Sequence, residues 1–503
     1  MSIQGNWDRR MSRRDFIGIG GMTVAGIAFG GGLAALGART AEGRPAERTE
    51  GYGPLIPMGD LALPAGFSYK VISRQGDPMS DGNPTPGIFD GMGAFRGERG
   101  GTVLIRNHEN RRRPGEIPVV VPQDKRYDQD PTYNGGNTKL VVDRNLNVVE
   151  SFAILGGTDT NCAGGETPYG TWITCEEVVN RSATGTPHGY IFEIDASADG
   201  PVKAVPVPAA GRFVHEAVAF LDGVLYETED RRDDSFFYRY LPKGTSDDED
   251  DDDDDFDKDD DDGDDDDRRR GRGRGPRGRS LADTEGVLQA LKIKGVDNAV
   301  MDTFPVVGKP YKVEWVTIDE PNPRDDTDST PLAVGEQAKA KGAAIFDREE
   351  GIWEGNGKVY FDCTEGGEAD LGQVYEFDPK RQVLTLIYES TDSTELENPD
   401  NVVIVPKTGD IFLQEDGPGG QFVRGLTPEG EIYDFAETIT NDTEFCGGCF
   451  SPDGKVFFVN QQGERGGPVE GPAGGQAVTY AITGPFRKRA GNNGGRGRRR
   501  NRR

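Results

Sequence analysis

Asp222-Gly223-Val224-Leu225-Tyr226-Glu227-Thr228-Glu229-Asp230 reads as a tight turn followed by a short strand that closes on two acids. Asp-Gly accepts the positive φ angles of a two-residue hairpin loop, and the apolar and β-branched residues after it suit a pleated, half-buried strand. The same sentence is written again at Asn356-Gly357 before Val359–Glu365, at Thr408-Gly409 before Ile411–Asp416, and at Asp453-Gly454 before Val456–Asn460. Upstream, Val103–Glu109 and Trp172–Glu177 have the same strand character. Partner strands follow the later five, at Gly189–Asp195, Phe236–Leu241, Gln373–Asp378, Phe422–Pro428 and Ala477–Thr483.

The strand starts at 172 and 224, and at 359 and 411, are 52 residues apart, and those at 411 and 456 are 45 apart. Repeats of about 40–50 residues built from short strands mark a β-propeller. Six units predict an all-β fold of six blades; a pair of β-sandwiches is the alternative. With 72 Gly and 32 Pro in 503 residues, the composition also favours many turns over long helices. The longest interval, from 224 to 359, contains Asp247–Asp267, with 18 acids and one Lys, and then seven Arg between Arg268 and Arg279. Such a run cannot bury a core, so residues 245–280 read as a disordered acidic surface insert. Residues 485–503 read as a basic disordered tail.

The formal net charge is −29, and without the insert and tail the chain stays almost as acidic. That field repels nucleic acid, so no nucleic-acid partner is expected despite the basic tail. At the N-terminus, Ser12-Arg13-Arg14-Asp15-Phe16-Ile17 precedes a weakly apolar Gly/Ala stretch and the small residues of Gly37–Ala41. Residues 1–41 resemble a twin-arginine (Tat) signal peptide, with a membrane anchor as the alternative. This predicts export through the Tat translocase to the periplasm or beyond, with no stable membrane insertion after cleavage. Residues 42–484 form the propeller.

Strand-end acids recur at Glu109, Glu176/Glu177, Glu229/Asp230, Glu365 and Glu415/Asp416. Equivalent strand ends of a propeller lie on one face around the axis. Converging carboxylates repel unless protonated or bound to cations, and hard multivalent cations take oxygen ligands. A ring of solvated acids is the alternative. With only three histidines, His108, His188 and His215, a His-built metal site is not expected, and no Gly-x-Ser-x-Gly elbow is present. Of five cysteines, Cys446 and Cys449 could close on each other or stay reduced, and Cys175 could pair with Cys363. That leaves Cys162, in a Gly-rich loop, either as a quiet buried thiol or as a thiolate beside the carboxylates, where iron would accept both donors.

A set of motifs carries a family resemblance. It runs in order from Asp90–Phe95, Arg106–Glu109, Asn161–Gly165, Gly170–Glu177 and His188–Glu193 to Gly211–Ala217. It continues through Arg348–Trp353, Cys363–Gly367, Pro399–Asn401, Glu415–Gly417 and Glu444 to Gly454, so about residues 60 to 485 are covered. The chain resembles the PhoX-type alkaline phosphatases. The resemblance implies a propeller hydrolase with iron (Fe³⁺) and calcium (Ca²⁺) in its channel. It implies Cys162 as an iron ligand, and Glu216, Glu350, Asp400, Glu444, Glu415 and Asp416 as carboxylate ligands. The strand ends Glu109, Glu177, Glu229 and Asp230 complete the candidate set. Arg348, two places before Glu350, is implied to bind phosphate. The expected activity is hydrolysis of small phosphomonoesters by a monomeric protein. A non-catalytic calcium-binding propeller and another propeller hydrolase, such as a lactonase or phytase, are the rivals. The Cys446–Cys449 stretch departs from the family pattern, with a cysteine where a small apolar residue is expected.

Overall fold

The computed structural model describes residues 51–243, 280–324, 333–440, 442–463 and 475–486. The stretch expected to be an export signal (residues 1–41), nearly all of the acidic insert and nearly all of the basic tail lie outside them. The described chain is almost entirely β, with one α-helix at Val334–Ala340 and four single-turn 3-10 helices.

Among the described residues the strands form six antiparallel blades, besides a separate two-stranded pair of Asn180–Arg181 and Pro187–His188. The first blade runs through Phe89–Arg96, Thr102–His108, Gly135–Val142 and Val148–Thr158. The second has Asn161–Glu166, Thr171–Glu176 and Ile191–Asp195, and Pro206 bridges Phe192 on its outer edge. His215–Leu221, Val224–Glu229, Tyr238–Pro242 and Gly286–Ile293 make the third. The fourth comprises Glu349–Gly355, Lys358–Cys363, Gln373–Asp378 and Val383–Glu389. The strand Pro310–Thr317 pairs with the outer strands of the third and fourth blades and welds them into one nine-stranded sheet. The fifth blade, Pro399–Ile404 to Ile432–Thr438, is widened by the N-terminal Leu55–Pro57 and Leu61–Pro64.

The sixth blade takes Phe445–Phe450, Val456–Gln461 and Val478–Thr483, and its outer strand is Ser68–Arg74 from the other end of the chain. This closes the ring and covers an edge that would otherwise template pairing with another chain. The six innermost strands pack in cyclic order, the sixth against the first. The architecture is a β-propeller.

Local chemistry explains the hairpins. Leu221 pairs with Val224, and Gly355 with Lys358, so Asp222-Gly223 and Asn356-Gly357 are two-residue loops. All four loop residues take positive φ, as a type I′ turn requires. Between blades the core is apolar and largely aromatic. Phe412, Phe435, Phe450, Phe457, Phe67 and Tyr52 fill the space between the fifth and sixth blades. The axis itself is lined by small residues. A Cβ on Gly91 would lie 2.5 Å from Cα of Ala163, and one on Gly351 would lie 2.6 Å from the amide of Val402. Backbones of neighbouring inner strands therefore touch near the axis.

Candidate metal centre

Each inner strand breaks register near its start, between Phe89 and Met92, Asn161 and Gly164, His215 and Val218, Glu349 and Ile352, Pro399 and Asn401, and Cys446 and Cys449. A bulge re-aims a side chain, and here it recurs around the ring. The residue after the first paired position is Asp90, Cys162, Glu216, Glu350, Asp400 or Cys446. The second strand of each blade runs back to the same face. Its end is followed by Glu109, Glu177, Asp230, Thr364, Asp416 or Gln462.

Two groups of candidate ligands result. Cys162, Glu177 and Glu216 offer donor atoms within 4.8 Å of one another, as do Glu216, Glu350 and Asp400. Glu216 belongs to both. Cys162 and Glu216 are each only 2% exposed. The Cys162 Sγ lies 3.3 Å from the carbonyl oxygens of His215 and Glu216. Burial, reinforced by the Glu216 and Glu177 charges, pushes this thiol well above the usual range. Burial also drives up Glu216, with Glu177 and Asp400 adding to it, and Glu350, with Asp230 adding. Asp400 is pushed up to about 7 by burial and by Asp416. These acids resist being charged together in a dry site, and a multivalent cation removes that penalty. The donor set therefore fits metal: hard carboxylate oxygens for calcium, and oxygens plus one sulfur for iron. Neither group contains a histidine among the described residues.

Arginines border the cluster on two sides. Arg348 grips Asp230 through Nε (2.9 Å) and Nη2 (3.0 Å), reaches Glu350 from Nη2 (2.5 Å), and has Nη1 3.6 Å from Glu365. Its φ is +50°, a left-handed conformation that a side chain of this size rarely adopts, held by backbone bonds to Arg231 and Thr364. Arg111 donates from Nη2 to Glu109 and, at 2.6 Å, to Glu177. Gln462 Nε2 bridges Glu109 (2.9 Å) and Asp90 (3.1 Å).

The paired strand-end acids divide their work, because successive side chains of a strand point to opposite sides. The second of each pair, Glu177, Asp230 or Asp416, joins the cluster or borders it. The first turns into the protein. Glu176 accepts from His188 (2.7 Å) and from the amides of Asp159 and Gly189. Glu229 accepts from Tyr238 (2.9 Å) and lies 3.1 Å from Arg231. Glu415 takes Arg424 (2.8 Å) and the amide of Glu397. Glu229 and Glu415, both candidates from the sequence, thus have protein partners of their own and stand outside both ligand groups. Glu444 is buried beside Cys446, which its charge helps push up after burial, and it also stands outside the two groups. Glu109 contributes through Arg111 and Gln462. All five cysteines are free and buried, so neither disulfide considered for the sequence is formed. Asp90, Arg111 and Gln462 are the site residues that strand-end reasoning missed. Arg111 did leave a signal: it follows Glu109 by two places, as Arg348 precedes Glu350 by two.

The fold and this arrangement define a class: a six-unit propeller with a buried carboxylate–thiol centre on its axis. The chain belongs to the family described as alkaline phosphatase PhoX, whose model matches residues 50–154 and 145–464. That family is one of phosphoric monoester hydrolases. Among solved structures, Pseudomonas fluorescens PhoX in complex with vanadate, a transition state analogue, is similar at 18% identity and a TM-score of 0.58, over 88% of this chain and 97% of that one. A protein of unknown function from Dyadobacter fermentans aligns at 10% identity and a TM-score of 0.41, over 85% of this chain and 100% of that one. No curated protein matches the chain.

Proposed function

We propose that this chain is an exported phosphomonoesterase whose axial centre holds iron and calcium. The observation that carries the reading is the group of buried Cys162 and Glu216 with partly buried Glu177, continuous through Glu216 with Glu350 and Asp400, in a member of the alkaline phosphatase PhoX family. Cys162, Glu177 and Glu216 would hold iron. Glu216, Glu350 and Asp400 would hold calcium, with Asp230 and Asp416 at the margin. Such ions supply Lewis acidity and positive charge for a phosphoryl group.

The chain's own residues do the rest. Arg348 is the phosphate-binding group. The grip of Asp230 on Nε and Nη2 fixes the plane of its guanidinium and leaves Nη1 outside that grip. A fork of planar donors suits a tetrahedral oxyanion. Substrates are small phosphomonoesters, the protein acts as a monomer, and it reaches the periplasm or the exterior through the Tat translocase. No helix among the described residues is long and apolar enough to cross a membrane.

Elemental analysis of the exported protein, with hydrolysis of p-nitrophenyl phosphate, tests the reading. Iron with a thiolate-to-iron absorption band is expected, and Cys162→Ser should lose both. Calcium alone without hydrolysis would turn the reading to a non-catalytic propeller. Arg348→Ala should cost about 2–4 kcal/mol of transition-state stabilisation in kcat/KM, as for other preorganised donors to a developing charge. An unchanged kcat/KM would remove Arg348 from the role.

A further inference from the structure

We infer that Arg111 is a second oxyanion-binding arginine of the centre, acting on the substrate phosphate from the side of the first and second blades. The inference rests on the phosphatase reading and adds a residue to it.

Arg111 and Arg348 are placed alike. Each guanidinium touches two acids from the cluster margin, Glu109 and Glu177 in one case and Asp230 and Glu350 in the other. Glu109 and Glu177 end the second strands of the first and second blades, whereas Asp230 and Glu350 belong to the third and fourth. The two cations therefore border the same face on different sides of the ring.

Their engagement differs. Arg348 uses Nε and Nη2 on carboxylates and has Glu365 near Nη1. Among the described residues, every side-chain polar contact of Arg111 runs through Nη2, while its Nε is buried with no hydrogen-bond partner. A buried charged donor without an acceptor is costly to leave unmade. The side chain is 27% exposed, so a solute can reach it. Its backbone is fixed: the Arg111 amide donates to Glu116 at 3.0 Å. Next door, Arg112 lies over the Tyr133 ring and 3.3 Å from Asp159, so the adjacent cation is committed elsewhere.

Charge balance gives the direction of the switch. Without other cations, Glu109 and Glu177 need Arg111 as counter-charge. Once cations engage Glu177 and its neighbours, that need falls. Nη2 then joins Nε or Nη1 as a two-nitrogen edge, the geometry that matches two oxygens of a phosphate. Two arginines facing one site would also help an acidic protein retain an anion.

The test uses the metal-loaded protein with inorganic phosphate as the probe, measured by calorimetry, beside metal content and p-nitrophenyl phosphate kinetics. Arg111→Gln should weaken phosphate binding about tenfold or more with iron and calcium unchanged. It should raise KM or lower kcat/KM by a similar factor. Arg111→Lys keeps the charge and loses the fork, so an intermediate affinity is expected. Unchanged phosphate affinity in both variants overturns the inference. So does loss of metal from both, since Arg111 would then serve the ligands alone. If wild type binds phosphate in an Arg111-dependent way yet hydrolyses no monoester, the inference stands and the phosphatase reading fails. If wild type does not bind phosphate, both fall.

Discussion

At the scale of single residues, the strongest lesson lies in neighbours of identical chemistry with different tasks. Glu176 and Glu177 are adjacent glutamates, yet one accepts a hydrogen bond from His188 and the other faces the cluster. His188 is fully buried, stacked on Tyr133 at 4.2 Å, with Nδ1 2.7 Å from Glu176 and Nε2 3.1 Å from Asp128. Two carboxylates on the two ring nitrogens require both to donate, which is the imidazolium. Burial opposes that charge, but Glu176 and Asp128 outweigh it and raise the pKa of His188 above its usual value. A histidine raised on folding stabilises fully below its unfolded pKa, ~6.5, and the contribution is lost as pH rises through the higher folded value. Denaturant unfolding should therefore show His188→Gln costing about 3–5 kcal/mol at pH 5.5. At pH 9 the cost should be smaller, by about 1.4 kcal/mol for each unit of elevation. A pH-independent difference would mean that His188 is neutral. Of the site, the residue types and the Glu109, Glu177, Asp230 and Asp416 strand ends were legible in the sequence. Which acid of each pair faces the axis was not, because that depends on strand register and on the bulge.

At the scale of the elements, hairpins were the legible part. Turn dipeptides and the strands after them match the second strands of the blades: Thr102–His108, Thr171–Glu176, Val224–Glu229, Lys358–Cys363, Ile411–Glu415 and Val456–Gln461. The inner strands were harder to see, since Asn161–Glu166 and Phe445–Phe450 are rich in Gly and Cys and lack a strand signature. Their glycines answer to close packing at the axis, a tertiary demand. Gly351 shows its force: a Cβ there meets backbone atoms of Asn401 and Val402 within 2.7 Å. Gly351→Val should therefore destabilise by about 1–3 kcal/mol or more through overpacking, and should displace Glu350 beside it. Thermal melting and metal content together check this. Loss of stability with full metal retention would show that the bulge absorbs the side chain without moving its neighbour.

At the scale of the molecule, the ring is held shut by a strand from the far end of the chain. Ser68–Arg74 pairs along the whole of Val478–Thr483, and Arg106 in the first blade is tied to Ser73 and Thr479 of that seam. Removing residues up to 74 exposes a strand edge and unpairs the seam. The shortened chain should lose its cooperative melt, or melt far below the full chain, by circular dichroism. A melt within a few degrees of the full chain would mean that the other blades close without it. In the third blade, Tyr238–Pro242 and Gly286–Ile293 pair as far as Pro242 and Gly286, at the end of the blade opposite the centre.

The sequence by itself determined the repeat, the all-β class, the count of six strand units and the inventory of acids, because turn chemistry and strand patterning are local. It also marked Cys162, Glu216, Glu350 and Asp400 through motifs. Only the tertiary structure decided that Glu216 joins two ligand groups, that Glu229 and Glu415 turn away to Tyr238 and Arg424, and that Arg111 stands beside the centre as Arg348 does. Those outcomes depend on register, on bulges and on the closure of a ring between residues hundreds of positions apart, and no local window of sequence contains them.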